Sequence, residues 1–418
     1  MSLMCAKEKR KGRNVAAGLA LVVALVLGGC ATAPRWNCEM PYPPATEPQV
    51  GDILHLATGS YVSEAQMLTN ATQVPLVYVG ETHDNPASHR LELAVLAAMA
   101  SRHPGQVALG MEMFTASQQE ALDQWVAGEL TEKEFLRQSR WFSEGWGSDF
   151  AYYRDILLFC RDNKIAIIGL NIDKELGNKA SLMPLAELAP ELREELPEMD
   201  MSDPYQRAMV EAMIKDHAAG GKMVQRFHRR QTIWDETMAR SVADYLAHHP
   251  AMHMVVIAGG WHVEYGFGIP RRVFRRLPLA YTIIGSATLK VPKEKEHQRM
   301  HVTMPPFPMP RADYLVYQEY EILPETGVRL GVMLAEQEEG PGVLVVGVMP
   351  GSVAALAGIT KGERIIRFDG VDLLDTFDLI YAVKNKSAGD SGQLVILGED
   401  GERSVEVLFV EQEKGHGR

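Results

Sequence analysis

From Val74 onward the chain alternates short apolar runs with stretches of helical spacing. Val74–Val79 is an apolar run closed by Gly80, the mark of a buried strand. Ser88–His103 places Leu91, Val95, Leu96 and Met99 on one helical face. Val107–Met111 predicts a second strand, and Thr115–Ala127 a helix with Thr115 as its N-cap. Ile165–Leu170 and Met254–Ala258 predict further strands, and Leu279–Ile284 and Tyr314–Tyr317 are expected to close the sheet. Between Leu176 and His249 the composition is helical, rich in Met, Glu, Ala and Arg, with no strand signal. This alternation predicts an α/β fold, a mainly parallel sheet with helices on both faces and a helical insertion beside it. The Pro-rich stretch Lys290–Pro310 is expected to cross the domain as a loop.

From about Glu325 the texture changes to short β-rich runs with glycine turns. Val343–Val348, Gly362–Phe368 and Gly392–Leu397 predict strands and Asp378–Val383 a helix, which together make a separate small β-rich domain. A chain of 418 residues is in any case too long for one core. The formal charge of −12 leaves no basic stripe to neutralise phosphates and excludes nucleic acid as a partner. Cys38 and Cys160 could pair in an oxidising compartment, but Cys160 follows Ile156-Leu157-Leu158-Phe159 on an apolar face, which favours a buried free thiol.

The first residues carry an address. Lys7, Lys9, Arg10, Lys11 and Arg13 precede an apolar run from Val15 to Leu27, the length of a signal-peptide core and short for a membrane span. The run ends in Leu27-Gly28-Gly29-Cys30, which resembles a lipobox. Residues 1–29 are then expected to be a signal peptide and Cys30 the acylated, palmitate-bearing terminus. The non-acidic Ala31 suits an outer-membrane lipoprotein facing the periplasm. Residues 30–49, with Pro34, Pro41, Pro43, Pro44 and Pro48, read as a stiff tether.

Five polar residues at four strand ends share one address in the predicted sheet. Glu81 and His83 follow the first strand, Glu112 the second, Asn171 the third, and His262 the strand Met254–Ala258. Ligands of open parallel sheets bind beyond the carboxyl ends of the strands, so these residues can converge there. Two imidazoles and one or two carboxylates (His83, Glu112, His262) could hold a divalent metal. Alternatively, they could act as a base and its orienting partner. His217 and His228 are expected to face solvent. Arg271, Arg272, Arg275 and Arg276 read as a solvated helix face, with contact to an anionic ligand as the sharper alternative.

Gly80-Glu81-Thr82-His83-Asp84-Asn85, Gly110-Met111-Glu112-Met113-Phe114, Trp146-Gly147-Ser148-Asp149-Phe150, Leu170-Asn171, Gly260-Trp261-His262 and Gly266-Phe267-Gly268-Ile269-Pro270 occur in this order. Together they resemble the ChaN family, haem-binding lipoproteins linked to iron uptake, in a superfamily with Tiki metalloproteases and erythromycin esterases. The likeness spans roughly residues 50–319. It implies haem as cofactor, bound by a homodimer with a tyrosine at iron. Tyr265 and Tyr152 are the candidates for that tyrosine, with His262 as a further haem contact. It also implies a polar centre of His83, Glu112 and His262, which in the superfamily's hydrolases would serve a metal-dependent peptidase or esterase. Haem binding and hydrolysis both remain open at this point.

Val328-Arg329-Leu330-Gly331-Val332, followed by Met349-Pro350-Gly351-Ser352-Val353-Ala354 and Gly362-Glu363-Arg364-Ile365, resembles bacterial PDZ domains. Val353 and Glu363 stand where that signature has proline and aspartate. Over residues 325–412 the resemblance implies recognition of a C-terminal or extended peptide by strand addition, with Arg329, Leu330, Gly331 and Val332 at its carboxylate.

Overall fold

The protein is described from a computed structural model that covers residues 42–142, 149–214, 221–296, 302–323, 328–335 and 340–410. The signal segment, Cys30, Cys38, His217 and Trp146-Gly147-Ser148 lie outside these residues.

Eight strands make the first sheet: β1 Ile53–His55, β2 Ser60–Val62, β3 Leu76–Glu81, β4 Val107–Thr115, β5 Ala166–Asn171, β6 His253–Gly259, β7 Tyr281–Lys290 and β8 Tyr314–Glu319. Their order is β2-β1-β8-β7-β3-β6-β4-β5, with β3 to β8 mutually parallel. Side chains alternate between two cores, as the two-residue period of a strand requires. Val77 and Val79 of β3, with Val255 and Ile257 of β6, join the core under helices Pro86–Arg102, Gln119–Ala127 and Arg154–Asn163. Leu76, Tyr78, Met254 and Val256 join the core under helices Gly221–His248 and Ile269–Arg276. Burial on both faces is why these strands read as unbroken apolar runs.

The mainly parallel α/β sheet with helices on both faces and a helical insertion matches the expectation. Three details differ. First, β7 and β8 do not close the sheet; β8 is flanked by β1, which pairs antiparallel with it and with β2. These edge strands have three residues each, too few to show a period. Second, β4 runs on to Thr115, its register against β5 shifting between Met111 and Thr115, so Glu112 lies inside the strand. Third, Thr115 caps a 3-10 turn, Ala116–Gln118, and the α-helix starts only at Gln119.

Chain direction fixes where the domain begins and ends. Because β1 is antiparallel to β8, residue 51 enters and residue 319 leaves at one rim, the carboxyl rim of the parallel strands. The Gly51 amide bonds the Tyr317 carbonyl there at 2.8 Å.

The second domain is a sheet ordered β14-β13-β11-β10-β9, with β12 on β11. Its strands are β9 Val332–Leu334, β10 Val343–Val348, β11 Arg364–Phe368, β12 Val371–Asp372, β13 Ser391–Gly398 and β14 Gly401–Leu408, and helix Thr376–Lys384 covers its core. That helix also packs on the first domain. Arg137 pairs with Asp375 and, at 2.7 Å, with Asp378, and its guanidinium lies 4.5 Å over the Phe377 ring. Lys133 reaches Asp378 at 2.8 Å, and Phe142 meets Phe377 at 5.7 Å between ring centres.

Cys160 is a buried free thiol, pushed up in pKa by burial. No helix among the described residues is long and apolar enough to cross a membrane.

Candidate functional site

The carboxyl ends of β3, β6 and β4 meet where the chain path divides, β3 leading towards β4 and β6 leading back to β7. A cleft of about 470 Å³ opens there, within the size range of small-molecule sites. Its walls include His83, Glu112, Asn171, His262, Lys174 and Arg230, with Met113, Ile172, Met213, Trp234 and Trp261 as the apolar share.

The two imidazoles are built alike. Nδ1 of His262 lies 2.5 Å from the Asp235 carboxylate, and its Nε2 3.2 Å from Glu112. Nδ1 of His83 hydrogen-bonds Glu81, which also accepts from the Tyr153 hydroxyl at 2.9 Å. Each ring is thus fixed at Nδ1 by a buried acid, which sets its orientation and tautomer. Glu112 in turn accepts the Gly259 amide at 2.7 Å. A Cβ on Gly259 would lie 2.8 Å from His83 Nε2, which is why that position is glycine.

Charge follows from these contacts. Burial alone would lower His262, but Glu112 and Asp235 raise it to about 10. Burial opposes His83 in the same way, and the Glu81 contact lifts it above the ordinary value. Burial would raise Glu112, yet the charges of His262 and His83 and the Gly259 amide hold it low. At neutral pH the centre therefore presents the His262 imidazolium beside one carboxylate, with His83 shifted towards its own charged form. It can donate protons and attract an anion, but His262 must lose its Nε2 proton before that atom can ligate or act as a base.

Glu81 does not line the cleft; it sits behind His83. Asn171 donates to the Glu112 carbonyl at 3.0 Å and accepts the Ile172 amide, so it braces the backbone of β4. Tyr265 is buried against Phe267 and Phe307, in a positive-φ conformation (φ 56°), and Tyr152 packs beside His89. Neither tyrosine is among the cleft-lining residues.

His83, Glu112 and His262 line one cleft, but they are not a trio whose ligating atoms all gather within 4.8 Å. Among the described residues, the group of three His or acid side chains whose ligating atoms all lie within 4.8 Å of one another is Glu81, His89 and Glu92. The lining suits a ligand with an apolar body and an anionic substituent. Arg230 stacks 4.6 Å over the Trp234 ring and its buried Nε has no hydrogen-bond partner, so an anionic substituent entering there would meet an unsatisfied donor.

Other expectations are corrected. His228 is buried, not solvent-facing, because helix Gly221–His248 is covered by helix Pro204–Ile214 along that side. The four arginines divide: Arg271 and Arg275 stay exposed on the helix surface, whereas Arg272 is buried, and all four pair with acids of this chain. Arg272 is fully buried against Glu236, Arg275 and Arg276 reach the same carboxylate, and Arg271 holds Asp200. These acids lie between 36 and 71 residues away in sequence, out of reach of any local pattern. Asp235, His89 and Glu92 were not foreseen. Asp235 falls one turn from Gln231 on an otherwise ordinary amphipathic helix, and only His262 reveals its role.

In the second domain Leu330 is buried, Gly331 takes φ 80° and Arg329 is exposed. The Leu330 and Gly331 carbonyls accept from Ala354 and Met349, each at 2.9 Å, which folds residues 329–332 into a turned loop leading into β9.

Comparison with known proteins gives this geometry its context. Residues 67–273 match the family described as haem-binding uptake, Tiki superfamily, ChaN, and residues 320–397 match the PDZ domain. The first match contains every cleft residue named above. Among solved structures, cofacial-haem-bound ChaN of Campylobacter jejuni is 16% identical, covering 65% of this chain and 98% of that one, with a TM-score of 0.48. A serine endoprotease from Yersinia pestis is 20% identical over 21% of this chain and 30% of that one, with a TM-score of 0.18. No curated protein matches the chain in sequence. The chain carries a ChaN-like domain of the haem-binding, Tiki superfamily family and, after it, a PDZ domain.

Proposed function

We propose that this protein is an outer-membrane lipoprotein, anchored through Cys30 and facing the periplasm, that binds haem for iron acquisition and recruits a peptide or protein through its PDZ domain. The observation that carries the haem reading is the cleft within the family-matched region. It joins an apolar wall of Met113, Met213, Trp234 and Trp261 to the cations Lys174 and Arg230. A porphyrin needs both, an apolar enclosure for the macrocycle and cations for its propionates. Lys174 and Arg230 would hold the propionates. His83, whose side chain is 36% exposed against 8% for His262, is the imidazole better placed to meet iron. Bound haem would supply the iron chemistry, and the chain would supply enclosure, charge and orientation. Helix Gly221–His248 also exposes Met223 and Phe227, which a second copy would cover in a homodimer.

Haemin titrated into the purified haem-free chain should shift the Soret band at one equivalent per chain. The double charge reversal Lys174→Glu, Arg230→Glu should weaken binding at least tenfold. An unshifted Soret band with the folded wild type would overturn the reading.

A second reading, hydrolysis of an ester or peptide, is favoured by one observation. His83 with Glu81 behind it has the form of an acid–base group and its orienting carboxylate. Turnover of a nitrophenyl ester that is lost in His83→Ala would support it.

A further inference from the structure

Behind the cleft lies a second polar cluster that the haem reading does not use. His89 and Glu92 stand one turn apart on helix Pro86–Arg102, facing Glu81 at the end of β3. All three are buried, Glu81 and His89 at 5% exposure and Glu92 at 1%. Nδ1 of His89 lies 2.9 Å from Glu92 Oε2 and 3.2 Å from Glu81 Oε2. Nε2 of the same ring lies 3.1 Å from the His83 carbonyl oxygen.

That last contact decides the tautomer. A carbonyl oxygen only accepts, so Nε2 carries the hydrogen. A neutral His89 then turns the Nδ1 lone pair towards two carboxylates, an arrangement that repels unless a positive species lies between them. A proton on Nδ1 is one such species and a metal cation is the other. Ligating histidines are commonly held in this way, by a backbone carbonyl on the far nitrogen.

The carboxylates point to the cation. Glu81 Oε1 is already occupied by Tyr153 and His83, whereas Glu81 Oε2 is buried without a hydrogen bond. Glu92 Oε1 is likewise buried and unpartnered. One Nδ1–H cannot satisfy both; burial and the Glu81 charge push Glu92 towards its protonated form, whose proton could be shared with Glu81, and a cation answers the same need. A dication with neutral His89 balances the charge and uses every idle oxygen. We propose that Glu81, His89 and Glu92 form a divalent metal site, with one nitrogen and two carboxylate ligands. The mixed nitrogen and oxygen set and the burial fit a first-row transition ion such as zinc or manganese rather than calcium or magnesium, which keep more oxygen or water ligands. The ion would also anchor Glu81, and through it the ring of His83, without lining the cleft itself.

The probe is cobalt(II), introduced during refolding of the untagged, haem-free full chain because the site is closed. Wild type should retain one cobalt per chain after gel filtration, with d–d absorption of an oxygen and nitrogen ligand set. His89→Gln and Glu92→Gln should lose at least nine-tenths of it. Glu112→Gln and His262→Gln, whose side chains bond none of the three ligands, should keep it. A natively folded wild type that retains no cobalt would overturn the site. So would cobalt that survives Glu92→Gln but is lost in Glu112→Gln. The wild-type measurement stands even if a variant misfolds. The haem titration is a separate readout, so failure of either idea leaves the other visible.

Discussion

Asp235 and His262 face each other at 2.5 Å, one from the long helix and the other from the turn after β6. Asp235 also accepts from Gln206 at 2.5 Å, so the acid is itself held in place. Asp235→Asn removes the charge and keeps the shape. The variant should lose about 3 kcal/mol in urea unfolding, the order expected for breaking a buried pair. Its His262 should titrate well below about 10, which imidazole NMR would read. An unchanged His262 titration would mean that Glu112 alone holds the proton.

Stability should fall on the alkaline side. His262 binds its proton more tightly folded, at about 10, than at its ordinary value of 6.5. Its contribution is therefore complete below pH 6.5 and disappears as pH rises through 10. Glu112 has the opposite sign, and its share is lost as pH falls below the usual carboxylate range. Melting temperature measured from pH 5 to 10 should decline above neutrality, and His262→Gln should flatten that decline.

Gly259→Ala tests how closely β6 approaches the site. The added methyl would meet the far end of a movable side chain, His83 Nε2 at 2.8 Å, rather than backbone. His83 should swing aside at a cost of only about 1 kcal/mol. Haemin binding should weaken at least tenfold, so thermal melts and titrations of one preparation would separate the two effects.

Gly331→Ala should disable the second domain alone. At φ 80° its Cβ would fall 2.2 Å from the Cβ of Ser352, which no rotamer change relieves. Binding of a C-terminal peptide library should vanish, while the Soret response stays within twofold of wild type.

Much of the fold was legible because burial on both faces leaves an unmistakable trace. Val107–Met111 and Met254–Ala258 are apolar at every position, and the structure places both inside the sheet, each with a parallel strand on either side. His83, Glu112 and His262 could be gathered from sequence because each stands at or near the end of such a run. Asp235, His89 and Glu92 could not, since a helix carries polar residues everywhere and only the partner tells which of them face inward. The arginines of helix Ile269–Arg276 show the reverse error. Four cations in eight residues suggest solvent, which holds for Arg271 and Arg275, yet Glu236 draws Arg272 fully inside and half-buries Arg276.

Arg137→Asp should loosen the contact between the domains. The substitution replaces the partner of Asp375 and Asp378 with a third negative charge and removes the cation from the Phe377 ring. Calorimetry should then resolve two melting transitions where wild type gives one, and limited proteolysis near residues 320–328 should accelerate.

The arrangement of β1 beside β8 decides how the first domain answers a mechanical load. Its two chain ends emerge side by side, so a pull between them acts across the β1–β8 ladder as on a zipper, opening one hydrogen bond at a time rather than shearing all together. The three-residue β1 and its hairpin mate β2 would peel away first. The strands that carry His83, Glu112 and His262 lie farther in, beyond β7, and would feel no tension until that edge had parted.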